Sequence, residues 1–188
     1  HHPIFSHHSR SCKLETDDIA GILARPFCAR FSSFLSKLAF SRNDDMEHFT
    51  KEQEAALKFL TSLQELEISS SSRLRSLPAG LSGLPNLKRF EIRYLNSIQS
   101  TPKDGLPSSL TELRIEDCAA FRLLPKGSLP SSLQNLAIIR CPGIRSLPND
   151  SFPDSLRLLD VSGSNEELRR QCRKLKGTIP IVIVKEYA

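Results

Sequence analysis

Residues 106–161 repeat themselves, and this repetition constrains the fold more than any other feature of the chain. LPSSLTELRIEDCAAFRLLPKGS (106–128) is followed by LPSSLQNLAIIRCPGIRSLPNDS (129–151), and a third copy begins at Phe152 as FPDSLRLLDVSG. The copies lie 23 residues apart. Leu110, Leu133 and Leu156 each open an L-x-x-L-x-(I/V) core, Cys118 and Cys141 share one later position, and Pro125 and Pro148 close an (F/I)-x-x-L-P segment.

The same phase extends upstream. Cores open at Leu63, Leu87, Leu110, Leu133 and Leu156, in steps of 24, 23, 23 and 23. Leu74, Ile98, Phe121 and Ile144 recur beyond them, followed by Pro78, Pro102, Pro125 and Pro148. Proline lacks an amide donor and is excluded from a central strand, so these prolines mark where the chain leaves the sheet. Pro107, Pro130 and Pro153 recur three residues before an opener and mark the return. This period and leucine spacing define leucine-rich repeats. The expected fold class is α/β. It is a right-handed leucine-rich-repeat solenoid with a parallel concave sheet, a convex side mostly irregular or 3₁₀, and a helix–strand cap at the C-terminus. One repeat cannot bury its own inward leucines, but stacked neighbours do, at about 1.5–3 kcal/mol per side chain.

Three parts are expected. Residues 1–30 read as an N-terminal remnant, partly disordered or an irregular repeat, with Leu14 ending an early strand. Residues 31–163 hold the array of about six repeats, and 164–188 form the cap. Leu35, Leu38 and Phe40 give the first convincing strand core, 28 residues before Leu63. The extra length contains a T-x-x-Q capping box at Thr50 and Gln53 and an apolar stripe of Ala56, Phe59, Leu60 and Leu63. These predict a short helix at about 51–60. Pro78–Leu84 is too short for a full helix, so a 3₁₀ or extended turn is expected there. In the cap, Ser164 and Glu167 suggest a second capping box. Leu168, Cys172 and Leu175 form its stripe, Gly177 the C′ residue, and 178–184 a final strand.

Composition narrows the functional classes. A net charge of +5 is modest, and no apolar run approaches a transmembrane length. Five cysteines without a C-x-x-C pair argue for free thiols in a cytosolic or nuclear setting. The histidines and cysteines of 1–30 lack metal-ligand spacing, and Asp44, Asp45, Glu47 and His48 read as a solvated turn. Asn149-Asp-Ser151 matches a glycosylation sequon by pattern alone. The basic run Arg169, Arg170, Arg173, Lys174 and Lys176 reads as the wet face of the cap helix. With no phosphate loop, dinucleotide fingerprint or catalytic constellation, no enzymatic activity, cofactor or metal is expected. Neither membrane nor nucleic acid is expected as a partner.

Side chains between the leucines of each strand point to the concave face. Across five repeats one stripe is Glu65, Arg89, Glu112, Asn135 and Leu158. A second is Glu67, Glu91, Arg114, Ala137 and Asp160, and a third is Ser69, Arg93, Glu116, Ile139 and Ser162. Cross-strand charge pairing that keeps the sheet soluble is one reading of these positions. A partner-binding face centred on Arg89–Asp160, with an apolar patch at Ala137, Ile139 and Leu158, is the other.

LTSLQELEIS, LRSLPAGLSGLPNLKRFEI, DGLPSSLTELRIEDC, FTKEQEAALKFLTSL and SNEELRRQCRKLKGTIPIV resemble the C-terminal leucine-rich-repeat region of plant nucleotide-binding immune receptors. The likeness is to the cereal coiled-coil type and covers roughly residues 14–185. The resemblance implies a cytoplasmic or nuclear module that senses a pathogen effector or a host guardee protein. It also implies a contact that restrains the nucleotide-binding domain of the full-length receptor. Tyr94 and Leu95 depart from the turn seen at Cys118, which leaves the geometry of that repeat open. Two other classes fit the repeats: an extracellular receptor or inhibitor-like binding protein, suggested by Leu175-Lys-Gly-Thr-Ile-Pro180, and a ligand-free scaffold.

Overall fold

The computed structural model describes residues 4–8, 11–150 and 152–187, with only the backbone for 5–8 and 11. A nine-stranded sheet runs through the chain in sequence order: β1 (Ile4–His8), β2 (Ser11–Thr16), β3 (Leu35–Ser41), β4 (Glu65–Ser69), β5 (Arg89–Arg93), β6 (Glu112–Glu116), β7 (Asn135–Ile139), β8 (Leu158–Asp160) and β9 (Ile181–Ile183). β1 pairs antiparallel with β2, and every later pair is parallel. From β3 to β7 the register places like position against like, as in Leu66, Phe90, Leu113 and Leu136. The expected leucine-rich-repeat solenoid is the fold observed.

The inward positions are filled as the period demands. Leu63, Leu87, Leu110 and Leu133 are fully buried, as are Leu74, Ile98, Phe121 and Ile144 beneath them. From β3 to β7 each strand is followed by a residue with positive φ (Arg42, Ser70, Tyr94, Asp117 and Arg140), and Gly163 takes the same place beyond β8. The amide of each donates to the carbonyl ending the next rung, in the series Arg42 to Ser69, Ser70 to Arg93, Tyr94 to Glu116, Asp117 to Ile139, Arg140 to Ser162 and Gly163 to Lys185. Tyr94 keeps this geometry and Leu95 is buried like Cys118, so that repeat turns as its neighbours do. The backbone bond fixes the turn, whatever the side chain. Cys118 and Cys141 point inward and bond the carbonyls two residues back, Glu116 and Ile139, at 3.3 and 3.4 Å; Ser71 does the same to Ser69.

The returning limb adds a second series. The residue before each opener donates its side chain to the previous rung: Ser62 to Leu35, Asn86 to Thr61, Ser109 to Leu87, Ser132 to Leu110 and Ser155 to Leu133. The second serine of L-P-S-S-L thus ties rung to rung.

Helices occupy the long repeats. The described residues of 1–30, expected in part as disordered, hold β1, β2, α1 (Ile19–Ile22) and α2 (Arg25–Phe31). Ile19, Ile22, Leu23 and Cys28 are buried there. The side chains of His7 and His8, and His1 and His2 altogether, lie outside the described residues. α3 spans Lys51–Leu57 and has the expected Thr50–Gln53 capping box. It ends earlier than the stripe suggested, leaving Phe59 exposed beneath the Arg25 guanidinium. A 3₁₀ turn fills Ala79–Gly83.

At the far end α4 (Glu166–Arg173) buries Leu168 and Cys172 against the last repeat. Its N-cap is Asn165, not Ser164, whose hydroxyl instead donates to Ile138 and accepts from the Cys141 amide. Gly177 is not the C′ residue: Lys174 is the C-cap, and Gly177 turns the chain with φ +95° before β9. The final strand is shorter than 178–184 and starts just after Pro180. Among the described residues no helix is long and apolar enough to cross a membrane.

Candidate functional site

The concave face is the candidate site, built by alternate residues of β4–β9. In β5, Phe90 and Ile92 enter the core, and Arg89, Glu91 and Arg93 project from the opposite face. Glu91 is only 5% exposed, because three guanidinium groups surround its carboxylate. Arg93 Nη2 lies 2.7 Å from Oε1, Arg89 Nη2 3.1 Å from Oε2, and Arg114 Nε 3.7 Å from Oε1. Arg114 also reaches Glu116 at 3.1 Å, and Arg89 lies 3.6 Å from Glu112. The Glu91 hydrogen bond holds the Arg93 guanidinium above its usual range.

Arg140 closes the network toward β8. Its Nη2 meets Glu116 at 2.8 Å, and it bonds both Asp117 oxygens at 2.8 and 2.9 Å. That bond raises the Arg140 pKa. The guanidinium also lies 5.5 Å from the Tyr187 ring centre. Four arginines (89, 93, 114 and 140) therefore meet four carboxylates (91, 112, 116 and 117). The network is neutral, so the net charge of +5 lies elsewhere. Arg89, Glu91, Arg93, Glu112, Arg114 and Glu116 are brought together, as charge pairing requires.

The apolar end differs from expectation. Ala137 is buried and Ile139 is 4% exposed, so neither offers a patch. Leu158 is half-buried, and its register partner in β9 is Ile181, which is 54% exposed; Asp160 is paired with the half-buried Ile183. Leu158, Ile181 and Ile183 thus form an apolar strip one strand beyond the place read from the sequence. The apolar run of 178–184 signals a strand, but the helix between it and β8 hides its phase against Leu158. Asn135 lies half-buried between Glu112 and Leu158.

Other suggested groups have structural partners. Asp44 accepts from Ser72, Glu47 pairs with Arg73, and His48 Nδ1 lies 2.9 Å from Ser76 Oγ, tying this loop to the next repeat. Arg169 does not lie on the wet face of α4. It is buried, pairs with Glu166 at 2.6 Å and donates to the Ser164 carbonyl. The sequon at Asn149 includes Ser151, outside the described residues.

No family model matches the chain, and no curated protein matches it. Among solved structures it is similar to the crystal structure of a TLR13-ssRNA13 complex, with 16% identity and a TM-score of 0.48. The match covers 87% of this chain and 27% of that one, so this chain spans about a quarter of that protein's length. The leucine-rich-repeat fold rests on the chain's own period, register and turn series.

Proposed function

We propose that this chain is the recognition module of an intracellular plant immune receptor, working in the cytoplasm or nucleus. Its concave face binds a pathogen effector or a host guardee protein. The same face touches the nucleotide-binding domain of the full-length receptor and holds it inactive. The resemblance of the repeats, α3 and the cap to cereal receptors supports the family, and five buried free thiols fit a reducing compartment.

The apolar strip of Leu158, Ile181 and Ile183 carries the binding reading. The charged network beside it is already paired, so it contributes register and selectivity more than affinity. The strip has no such internal partner. Covering a fully exposed aliphatic side chain contributes about 1.5–3 kcal/mol, and the half-buried members contribute less. A partner anchored there and oriented by the arginines fits the surface.

Ile181→Asp tests this in the full-length receptor, since the side chain lies on the surface and its loss leaves the core intact. Effector-dependent cell death is expected to fall, or effector-independent death to appear, with unchanged thermal stability. Both responses staying at the native level would sink the reading.

A further inference from the structure

One rung of the solenoid breaks its own rule at the base of a cavity. Leu77, Leu124 and Leu147 fill equivalent core positions before Pro78, Pro125 and Pro148, and all three are buried. The equivalent residue before Pro102 is Thr101. Its side chain ends at the γ atoms, and its hydroxyl is buried without a hydrogen-bond partner. Beside it opens a cavity of about 630 Å³ between the limbs that descend from β4 and β5.

The lining is basic and polar. Arg75 stands on one wall and Lys103 on the next rung, with Ser76, Gln99 and Ser100 between them, and no carboxylate lines the space. Among the described residues neither Arg75 nor Lys103 makes an ion pair. The nearby Glu47 is engaged by Arg73, and Glu91, Glu112, Glu116 and Asp117 of the concave face are matched by Arg89, Arg93, Arg114 and Arg140. Two unpaired cations facing one cavity favour an anion of more than one charge. The volume exceeds that of a bare phosphate and lies within the ordinary range for small-ligand sites. Hydroxyl and amide walls suit a hydroxylated ligand more than an apolar one.

We propose that this cavity binds a soluble phosphate monoester the size of a sugar phosphate. The phosphate sits between Arg75 and Lys103, and the sugar hydroxyls meet Ser76, Gln99 and Ser100. The site lies on the flank of the solenoid, away from the concave face, and does not depend on the function proposed for that face.

Calorimetric titration of the whole chain with glucose 6-phosphate, inorganic phosphate and glucose tests the assignment. Glucose 6-phosphate is expected to bind more tightly than inorganic phosphate, and glucose to give no signal. The double variant Arg75→Gln/Lys103→Gln is expected to weaken binding about tenfold or more. Thr101→Leu restores the residue used by neighbouring rungs, so it is expected to fold at least as stably while losing the ligand. Arg145→Gln, on the same flank but outside the cavity, leaves binding unchanged. The proposal is overturned if glucose 6-phosphate fails to bind at millimolar concentration or Thr101→Leu binds normally. An equal loss from Arg145→Gln and the double variant would also overturn it, because that reports diffuse attraction to a basic flank.

Discussion

Tyr94 occupies the left-handed turn with φ +54°, half exposed, at the position where the last repeat has Gly163. An L-residue costs about 1–2 kcal/mol in that conformation, and glycine avoids the cost while losing more chain entropy on folding. Tyr94→Gly is therefore expected to stabilise the protein by about 0.5–1 kcal/mol, read from urea unfolding. The turn series is hidden in the sequence because four different side chains (Arg, Ser, Tyr and Asp) occupy its five positions before a glycine appears. The thiols yield a second expectation at this scale. Burial pushes Cys28 up to about 11 and Cys172 up to about 12, and at Cys141 contact with the Cys118 sulfur and burial together raise the thiol. All five cysteines are buried. Native protein treated with a maleimide at neutral pH should gain no adduct by mass spectrometry, and urea-unfolded protein should gain five. Rapid labelling of any one in the native state would contradict the packing. The leucine and cysteine positions were legible because burial there follows the period. The burial of Ile139 and Arg169 is not legible, because a strand or helix pattern shows which way a side chain points, not what covers it.

At the scale of elements, β5 and β6 are joined by their core faces and by the charges above them. Glu91 is the centre: replacing it by alanine leaves Arg89, Arg93 and Arg114 around a vacancy. Breaking a buried pair costs about 3–5 kcal/mol, but these arginines are 32–40% exposed and water screens them. Glu91→Ala is thus expected to cost about 2 kcal/mol in urea unfolding, and Glu91→Gln less because it keeps one acceptor oxygen and the bulk. No change in midpoint would show the network to be ornamental. In α4, Glu166 binds Arg173 and Arg169, and their attraction holds its carboxyl below the usual range. Its contribution is therefore present above the unfolded carboxylate pKa and fades as pH falls through the lower folded value. The element types of the regular rungs could be read because proline, leucine and strand positions all agree. α2 could not, because Arg25–Phe31 has no side-chain cap and only Cys28 of its residues is buried, and α1 is a single turn of four residues.

The whole molecule is a one-dimensional stack, and its most demanding test is removal of an entire rung. Deleting residues 117–139 joins Glu116, at the end of β6, to Arg140, the residue in the left-handed turn after β7. The deletion is one full period, so every later residue keeps its face and its place in the turn series. β6 would then pair with β8, setting Leu113 against Leu159 and Ile115 against Val161, all buried in the parent. Stability in a solenoid is close to a sum over rungs and their interfaces, so the shortened chain should fold with a lower midpoint. Its urea m-value should fall by about an eighth, in proportion to the chain removed. Deleting 118–139 instead removes one residue too few. It retains Asp117 in the turn and pushes Arg140 into the inward site that Cys118 and Cys141 fill. Burying that guanidinium without a carboxylate should abolish cooperative unfolding. Circular dichroism and urea titration of the two deletions side by side decide the matter: equal behaviour would mean that the period does not set the register.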